Sequence, residues 1–380
     1  MCSHGLETSL PVGAHPTTAS SGSVAVGGPP TTRRVRTVRS REAEVTVPAA
    51  PRPERPAGLL VVGQLFADVV FGDLPSGPRP GHEIWTSSFG HGPGGIANFA
   101  VAGARLGVPT VLAAAVGVDP FSLLVRAELA AEGIALDHLV TLDDWALPVT
   151  ASLGYDDDRA MVTGGVACPL TSDELVPGAI PAVAAALVHL DPHRASWVGR
   201  AAAAGTDVYA DVGWDPSERW DPAILDQLDE CHAFLPNELE AAAYTGTGSA
   251  VEAARALGAR VPLSVVTSGS RGVVAVDSAR GEEVVRPPLA VRAVDATGAG
   301  DVFGASLAAS ARAPWSLTQR VDFACLVAGI TVTRPGGAAG APRLDELVPW
   351  LRAHPAAAEP GRYDYLIDAL SHPDAARLLA

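Results

Sequence analysis

Asp295-Ala296-Thr297-Gly298-Ala299-Gly300-Asp301-Val302-Phe303-Gly304 is the stretch on which the reading of this chain turns. Its small residues run directly into a helix-forming segment at 305–309. With no bulky side chain in the way, backbone can close on an anion, and amides at a helix N-terminus point at it. Asp301 falls in the first turn, where the helix dipole stabilises negative charge. A carboxylate beside an anion hole can take the proton of a hydroxyl that attacks a phosphoryl group. The plainer alternative is a glycine-rich helix start with Asp301 as an ordinary first-turn residue.

About 200 residues upstream a related pattern appears. Gly92-Pro93-Gly94-Gly95-Ile96-Ala97-Asn98-Phe99-Ala100, followed by Arg105-Leu106-Gly107, sets paired glycines before a helix. Paired glycines let a ligand approach the backbone, and Asn98 can both donate to and accept from a polyol. The spacing is not the G-x-G-x-x-G dinucleotide fingerprint, which argues against a dinucleotide oxidoreductase. A tight turn followed by a helix-surface Asn is the alternative here.

Between and around these motifs the chain alternates. Leu59-Leu60-Val61-Val62 followed by Gly63 reads as a buried strand, and similar apolar runs recur at 111–116, 187–190, 208–210, 233–235 and 263–266. Ala/Leu-rich stretches with helical spacing lie at 121–131 and 251–257. Strands alternating with helices predict an α/β fold with a mostly parallel sheet covered on both faces. Residues 65–90 and 147–166 break the alternation and read as hairpin material, with a turn at Asp156-Asp157-Asp158, so a small β appendage is expected. After Pro349 the chain turns Ala/Pro-rich, and a weak helical pattern over 363–379 is expected to form a surface helix.

Residues 1–57 are rich in Pro, Ser, Thr, Gly and Arg, have no aromatic residue and show no apolar period. Such a segment cannot bury enough surface to offset its ordering entropy, so a disordered tail, dispensable for activity, is expected. A basic docking arm is the alternative. No apolar segment follows Arg33-Arg34, so the pair is not read as an export signal.

Composition excludes whole classes. The 380 residues are 48% hydrophobic, enough for one large domain or two small ones, and carry a net charge of −15. No basic stripe is available for nucleic acid, and no run of eighteen apolar residues for a membrane span. The sequence contains no lysine. That removes the Walker phosphate loop, the protein-kinase strand Lys and the pyridoxal Schiff base. The four cysteines are scattered without a Cys-x-x-Cys pair, which argues against zinc or disulfides and for a reducing cytoplasm.

DATGAGDVFGA resembles the C-terminal signature of the ribokinase-like (PfkB) carbohydrate kinases, and GPGGIANFAVAGARLG their N-terminal signature. Asn237-Glu238-Leu239-Glu240 resembles the family's N-x-x-E element, and Thr267-Ser268-Gly269-Ser270-Arg271-Gly272 its nucleotide loop. Thr333-Arg334-Pro335-Gly336-Gly337, with Pro342 beyond, resembles its C-terminal closure. The resemblance spans about residues 58–350, with 351–380 as an extension. It implies a three-layer α/β/α sandwich with a small β-sheet lid, and an ATP- and Mg2+-dependent kinase acting on a hydroxyl, usually a hydroxymethyl group, of a sugar.

Carried onto matching positions, it implies Asp301 as base and the amides of Gly298, Ala299 and Gly300 as anion hole. Asn237 and Glu240 would hold magnesium through water, and Thr267, Gly269 and Gly272 would line the nucleotide site. Asp68, Gly94, Gly95, Asn98 and Asp191 would grip the acceptor. Asp295 matches a position tied in some members to a monovalent cation such as K+, and would otherwise cap its turn. Asp191 would otherwise be a strand-end surface residue.

Two features depart from that pattern. Ile96 stands where ribose-specific members have Lys, which weakens ribose itself as substrate. The stretch Asp211-Val212-Gly213-Trp214-Asp215 matches no familiar pattern. His82 and His189 are weak candidates for substrate contact. Two other functions stay open: an adenosine-like nucleoside kinase of the same fold, and a catalytically silent sugar- or nucleotide-binding regulator. The lid is expected to cover the acceptor site and to pair two copies into a homodimer.

Overall fold

The computed structural model describes residues 58–155, 158–215, 217–372, 378 and 379. The expected N-terminal tail and the tip of the turn at 156–157 lie outside the described residues.

The strands are β1 (Leu59–Val62), β2 (Leu65–Gly72), β3 (Ser88–Gly95), β4 (Thr110–Val116), β5 (Leu139–Thr141), β6 (Val149–Tyr155), β7 (Asp158–Gly164), β8 (Ala185–Leu190), β9 (Asp207–Val212), β10 (Ala233–Phe234), β11 (Leu263–Thr267), β12 (Val273–Asp277) and β13 (Glu282–Arg286). The helices are α1 (Ala97–Arg105), α2 (Pro120–Ala131), α3 (Ser172–Leu175), α4 (Ser196–Ala203), α5 (Glu238–Thr245), α6 (Ala250–Gly258), α7 (Ala299–Ala309), α8 (Leu317–Thr331), α9 (Leu347–Ala353) and α10 (Asp364–Leu370).

Nine strands form the main sheet in the order β13-β12-β11-β10-β9-β8-β1-β4-β5. Pairing is parallel from β5 to β11 and antiparallel at β11–β12 and β12–β13. The alternation of strands and helices does not announce this antiparallel hairpin at one edge. Side chains of β1 split between the faces: Leu59 and Val61 join a core with Phe99, Val302, Phe303 and Phe323, while Leu60 and Val62 join one with Trp197, Phe234, Ala253 and Leu257. Burial on both faces is why these strands read as continuous apolar runs instead of alternating ones. The result is three layers, with α1, α7 and α8 on one face and α4, α5 and α6 on the other.

The remaining strands form a separate four-stranded sheet, β3-β2-β6-β7, from the two segments set apart by their hairpin-like pattern, except that β3 runs past residue 90 to Gly95. β2 pairs antiparallel with β3 but parallel with β6, so the appendage is one continuous lid and not two independent hairpins.

The C-terminal helix differs from expectation. Leu366 of α10 is fully buried, and Arg362 just before it is buried against Asp322 of α8 (Nε to Oδ1, 2.7 Å), which also accepts from Arg286 Nε at 2.7 Å. Cys168, Cys231 and Cys325 are free thiols, and no described helix is long and apolar enough to cross a membrane.

Candidate active site

The site forms at the C-terminal edge of the main sheet, where open α/β sheets bind ligands. β1 ends at Val62, and after Gly63 the chain enters the lid along β2, which carries Asp68. β3 returns alongside it and ends on Gly94-Gly95 at the head of α1. A Cβ on Gly94 would lie 2.1 Å from the Asp68 carboxyl carbon. The carboxylate therefore rests directly on the Gly94 backbone, and no other residue type leaves room for it.

Asn98, in the first turn of α1, is buried and donates from Nδ2 to Asp301 Oδ2 at 2.8 Å. Asp301 stands in the first turn of α7, whose N-cap Gly298 has φ +67° and lies against the Asn98 amide. First-turn helix amides lack intrahelical partners, and helix ends of this kind can receive an anion. The Ala299 amide closes a turn onto Ala296 O at 3.3 Å and is the least available of the expected three. Ser152 of β6 hydrogen-bonds Thr297 at 3.2 Å, tying the lid to the loop before α7. Asp295 accepts from the amides of Thr297, Gly336 and Gly337, each at 2.9 Å, so its carboxylate braces two loops.

His189 and Asp211 complete the centre. They are register partners on the parallel strands β8 and β9, two positions beyond the pair Leu187 and Tyr209 and on the same face of the sheet. Both therefore leave the sheet towards α7. His189 Nε2 is 3.5 Å from Asp301 Oδ1, and its ring packs edge-on against Phe99 with centroids 5.2 Å apart. Ligand atoms of His189, Asp211 and Asp301 all lie within 4.8 Å of one another. From sequence His189 is only a weak candidate, and Asp211 is not among the site residues expected. The available signal is a carboxylate ending the apolar run 208–210 at the ligand-binding edge. His82 is exposed on a turn between β2 and β3.

Asn237 and Glu240 meet at the head of α5. Asn237 Oδ1 accepts from Glu240 N at 3.0 Å, while Glu240 Oε2 accepts from Asn237 N at 2.9 Å, a reciprocal capping box. Thr267 bridges to Asn237, so the loop carrying Gly269 and Gly272 stands beside this cap at the ends of β10 and β11.

Electrostatics mark the centre as short of positive charge. Burial, with Asp301 and Asp295 nearby, pushes Asp68 up to about 7. Burial also raises Glu240 to about 7, with Asp301 adding, against the Asn237 backbone bond and His189, which lower it. Asp211 is raised well above the usual carboxylate range by burial and by Glu240 and Asp301. Such mutual destabilisation is relieved by a cation or by protonation. A donor set of buried carboxylates suits a hard divalent ion such as Mg2+.

Beside the centre, a cavity of about 760 Å3 opens over the ends of β1, β8 and β9, with Gly63, Phe66, His189, Asp191, Trp214 and Tyr244 in its wall.

Residues 58–344 match the model described as pfkB family carbohydrate kinase. A ribokinase of Haemophilus influenzae is 25% identical over 305 residues, covering 77% of this chain and 98% of the relative. Among solved structures, a putative ribokinase II from E. coli in complex with ATP and Mg2+ superposes with a TM-score of 0.69 at 20% identity, covering 79% of this chain and 100% of that one. A nucleoside kinase of Methanocaldococcus jannaschii, an archaeal member of the ribokinase family, gives a TM-score of 0.63 at 20% identity, covering 79% and 99%.

Proposed function

Because the chain belongs to the pfkB family of carbohydrate kinases, we propose that it transfers the terminal phosphoryl group of ATP to a hydroxyl, most simply a hydroxymethyl, of a sugar or sugar-like acceptor, with Asp301 as general base. The observation that carries this reading is the Asn98–Asp301 hydrogen bond at 2.8 Å. It holds a carboxylate at a helix N-terminus while joining that helix to the glycine turn on which Asp68 rests.

The chemistry follows from those positions. Asp68, the Gly94-Gly95 backbone, Asn98 and Asp191 orient the acceptor. Asp301 accepts the hydroxyl proton as the acceptor oxygen forms its bond to phosphorus and the bond to the ADP oxygen breaks. Amides of Gly298, Ala299 and Gly300 stabilise charge on the transferring group, and such stabilisation dominates where little covalent help is needed. Thr267, Gly269 and Gly272 line the nucleotide's place. Glu240, with Asn237, would hold Mg2+ through water, and the ion would neutralise phosphate charge. The amides already on Asp295 fit a loop brace, and a K+ ion there would use its remaining lone pairs.

A silent regulator is disfavoured by the cost of keeping Asp68, Asp211 and Glu240 buried near Asp301. Natural proteins tolerate such strain at working sites. An ATP-consumption screen against pentoses, hexoses, ketodeoxy acids and nucleosides tests the proposal, and absence of turnover with all four classes contradicts it.

We further infer a homodimer through the lid, whose Phe89, Met161 and Val162 are exposed. Large exposed apolar side chains on a small sheet mark an interface. Light scattering that gives a monomer mass at micromolar concentration contradicts this.

A further inference from the structure

The cavity beside Asp301 exceeds what a monosaccharide needs. At about 760 Å3 it falls in the upper part of the range, roughly 300–1,000 Å3, of pockets that enclose drug-sized ligands. One end belongs to the acceptor site, because His189 and Asp191 lie in its wall. Leu170 and Trp214 also line the cavity, as does Phe66, the register partner of Gly94.

Trp214 is 56% exposed, yet firmly mounted. Its ring meets Trp220 at 5.2 Å and Trp220 meets Tyr244 at 5.6 Å, both with planes at 85°. Asp215 pins the loop by accepting from Ser217 N (2.8 Å), Ser217 Oγ (2.7 Å), Arg219 N (3.1 Å) and Trp220 N (2.9 Å). Glu218 (φ 52°) and Trp220 (φ 50°) hold left-handed backbone in this loop although neither is glycine. Conformations of that kind persist where the surroundings over-determine them, and they gather at ligand clamps. Arg219 also lines the cavity; its Nε donates to Ser217 Oγ at 3.3 Å, and a guanidinium carries further donors and no acceptor.

We propose that the acceptor is a nucleoside, with its ribose hydroxymethyl at Asp301 and its base stacked on Trp214 in the outer cavity. This rests on the kinase reading above. A wall carrying Phe66, Trp214 and Tyr244 suits a planar base, whose ring nitrogens and carbonyls accept from Arg219, better than it suits a second sugar ring. The donor nucleotide is not this ligand, because Thr267, Gly269 and Gly272 do not line the cavity.

The test compares kcat/KM of the full chain with Mg2+ and ATP for five nucleosides (adenosine, guanosine, inosine, uridine, cytidine) and for free ribose and fructose. Calorimetric binding of the same nucleosides is measured in parallel. We expect at least one nucleoside to exceed both sugars. Trp214→Ala should lower the nucleoside-to-sugar ratio by about 5- to 150-fold, the range for a lost base–aromatic stack, and Trp214→Phe should largely keep it. A free sugar preferred over every nucleoside, or a ratio unmoved by Trp214→Ala, overturns this proposal and leaves the kinase reading standing. Nucleoside binding without transfer to any acceptor overturns the kinase reading instead. Neither binding nor transfer overturns both.

Discussion

Asn98 donates from Nδ2 to Asp301 Oδ2 at 2.8 Å, joining the first turns of α1 and α7 across 203 residues of sequence. The bond holds the carboxylate proposed as the acceptor's base, so its loss should be felt in turnover more than in nucleotide affinity. Asn98→Ala is expected to lower kcat about 10- to 100-fold, as for a misplaced reacting group. Asn98→Asp sets a second carboxylate against Asp301 and should be worse. Steady-state kinetics of the two variants check the order.

Gly94→Ala tests the close approach at the proposed acceptor side. The added methyl must displace the Asp68 carboxylate, which a Cβ would meet at 2.1–2.2 Å. Acceptor KM should rise by about 100-fold, with ATP KM little changed, and calorimetry on the acceptor should show the same loss.

Asp68 gives a pH signature. The folded chain holds its proton up to about pH 7, while the unfolded chain releases it near 3.8. The folded state binds the proton more tightly, so stability falls as pH rises through that window and levels off above it. Asp68→Asn removes this penalty. Its gain in stability over the parent should grow from about pH 4 to about pH 7 and then stay flat, reaching no more than roughly 4 kcal/mol, while acceptor turnover falls. Thermal melts across pH give the difference directly, and a gain that shrinks with rising pH contradicts the assignment.

Much of this is legible locally. Leu59–Val62 announces a strand buried on both faces, and the two glycine-led helices announce the site because close backbone approach permits few residue types. What cannot be read depends on register and long-range partners. His189 and Asp211 meet only because β8 and β9 pair in that register, and nothing within either strand encodes it. The edge hairpin β12–β13 escapes the sequence reading because Gly281 closes a turn inside a run that is read for alternation with helices. The α10 segment reads as weak surface helix because its anchor, Asp322, lies 40 residues upstream of Arg362.

That anchor makes the C-terminal extension part of the fold. Arg362 and Asp322 have side chains 1% and 4% exposed. Removing one partner of a buried pair leaves the other uncompensated, although Arg286 still reaches Asp322. Arg362→Ala should cost about 3 kcal/mol, read as a lowered urea midpoint with an unchanged slope.

The central claim is that Asp301 takes the acceptor proton, and Asp301→Asn tests it most directly. The amide keeps size and much of the hydrogen bonding but loses basicity. With a good acceptor, and with chemistry shown to be rate-limiting by rapid quench, kcat should fall by about 10²–10⁴. The ATP dissociation constant should stay nearly unchanged, since the backbone amides at the head of α7 remain. Turnover above about a tenth of the parent's under those conditions would contradict Asp301 as the base.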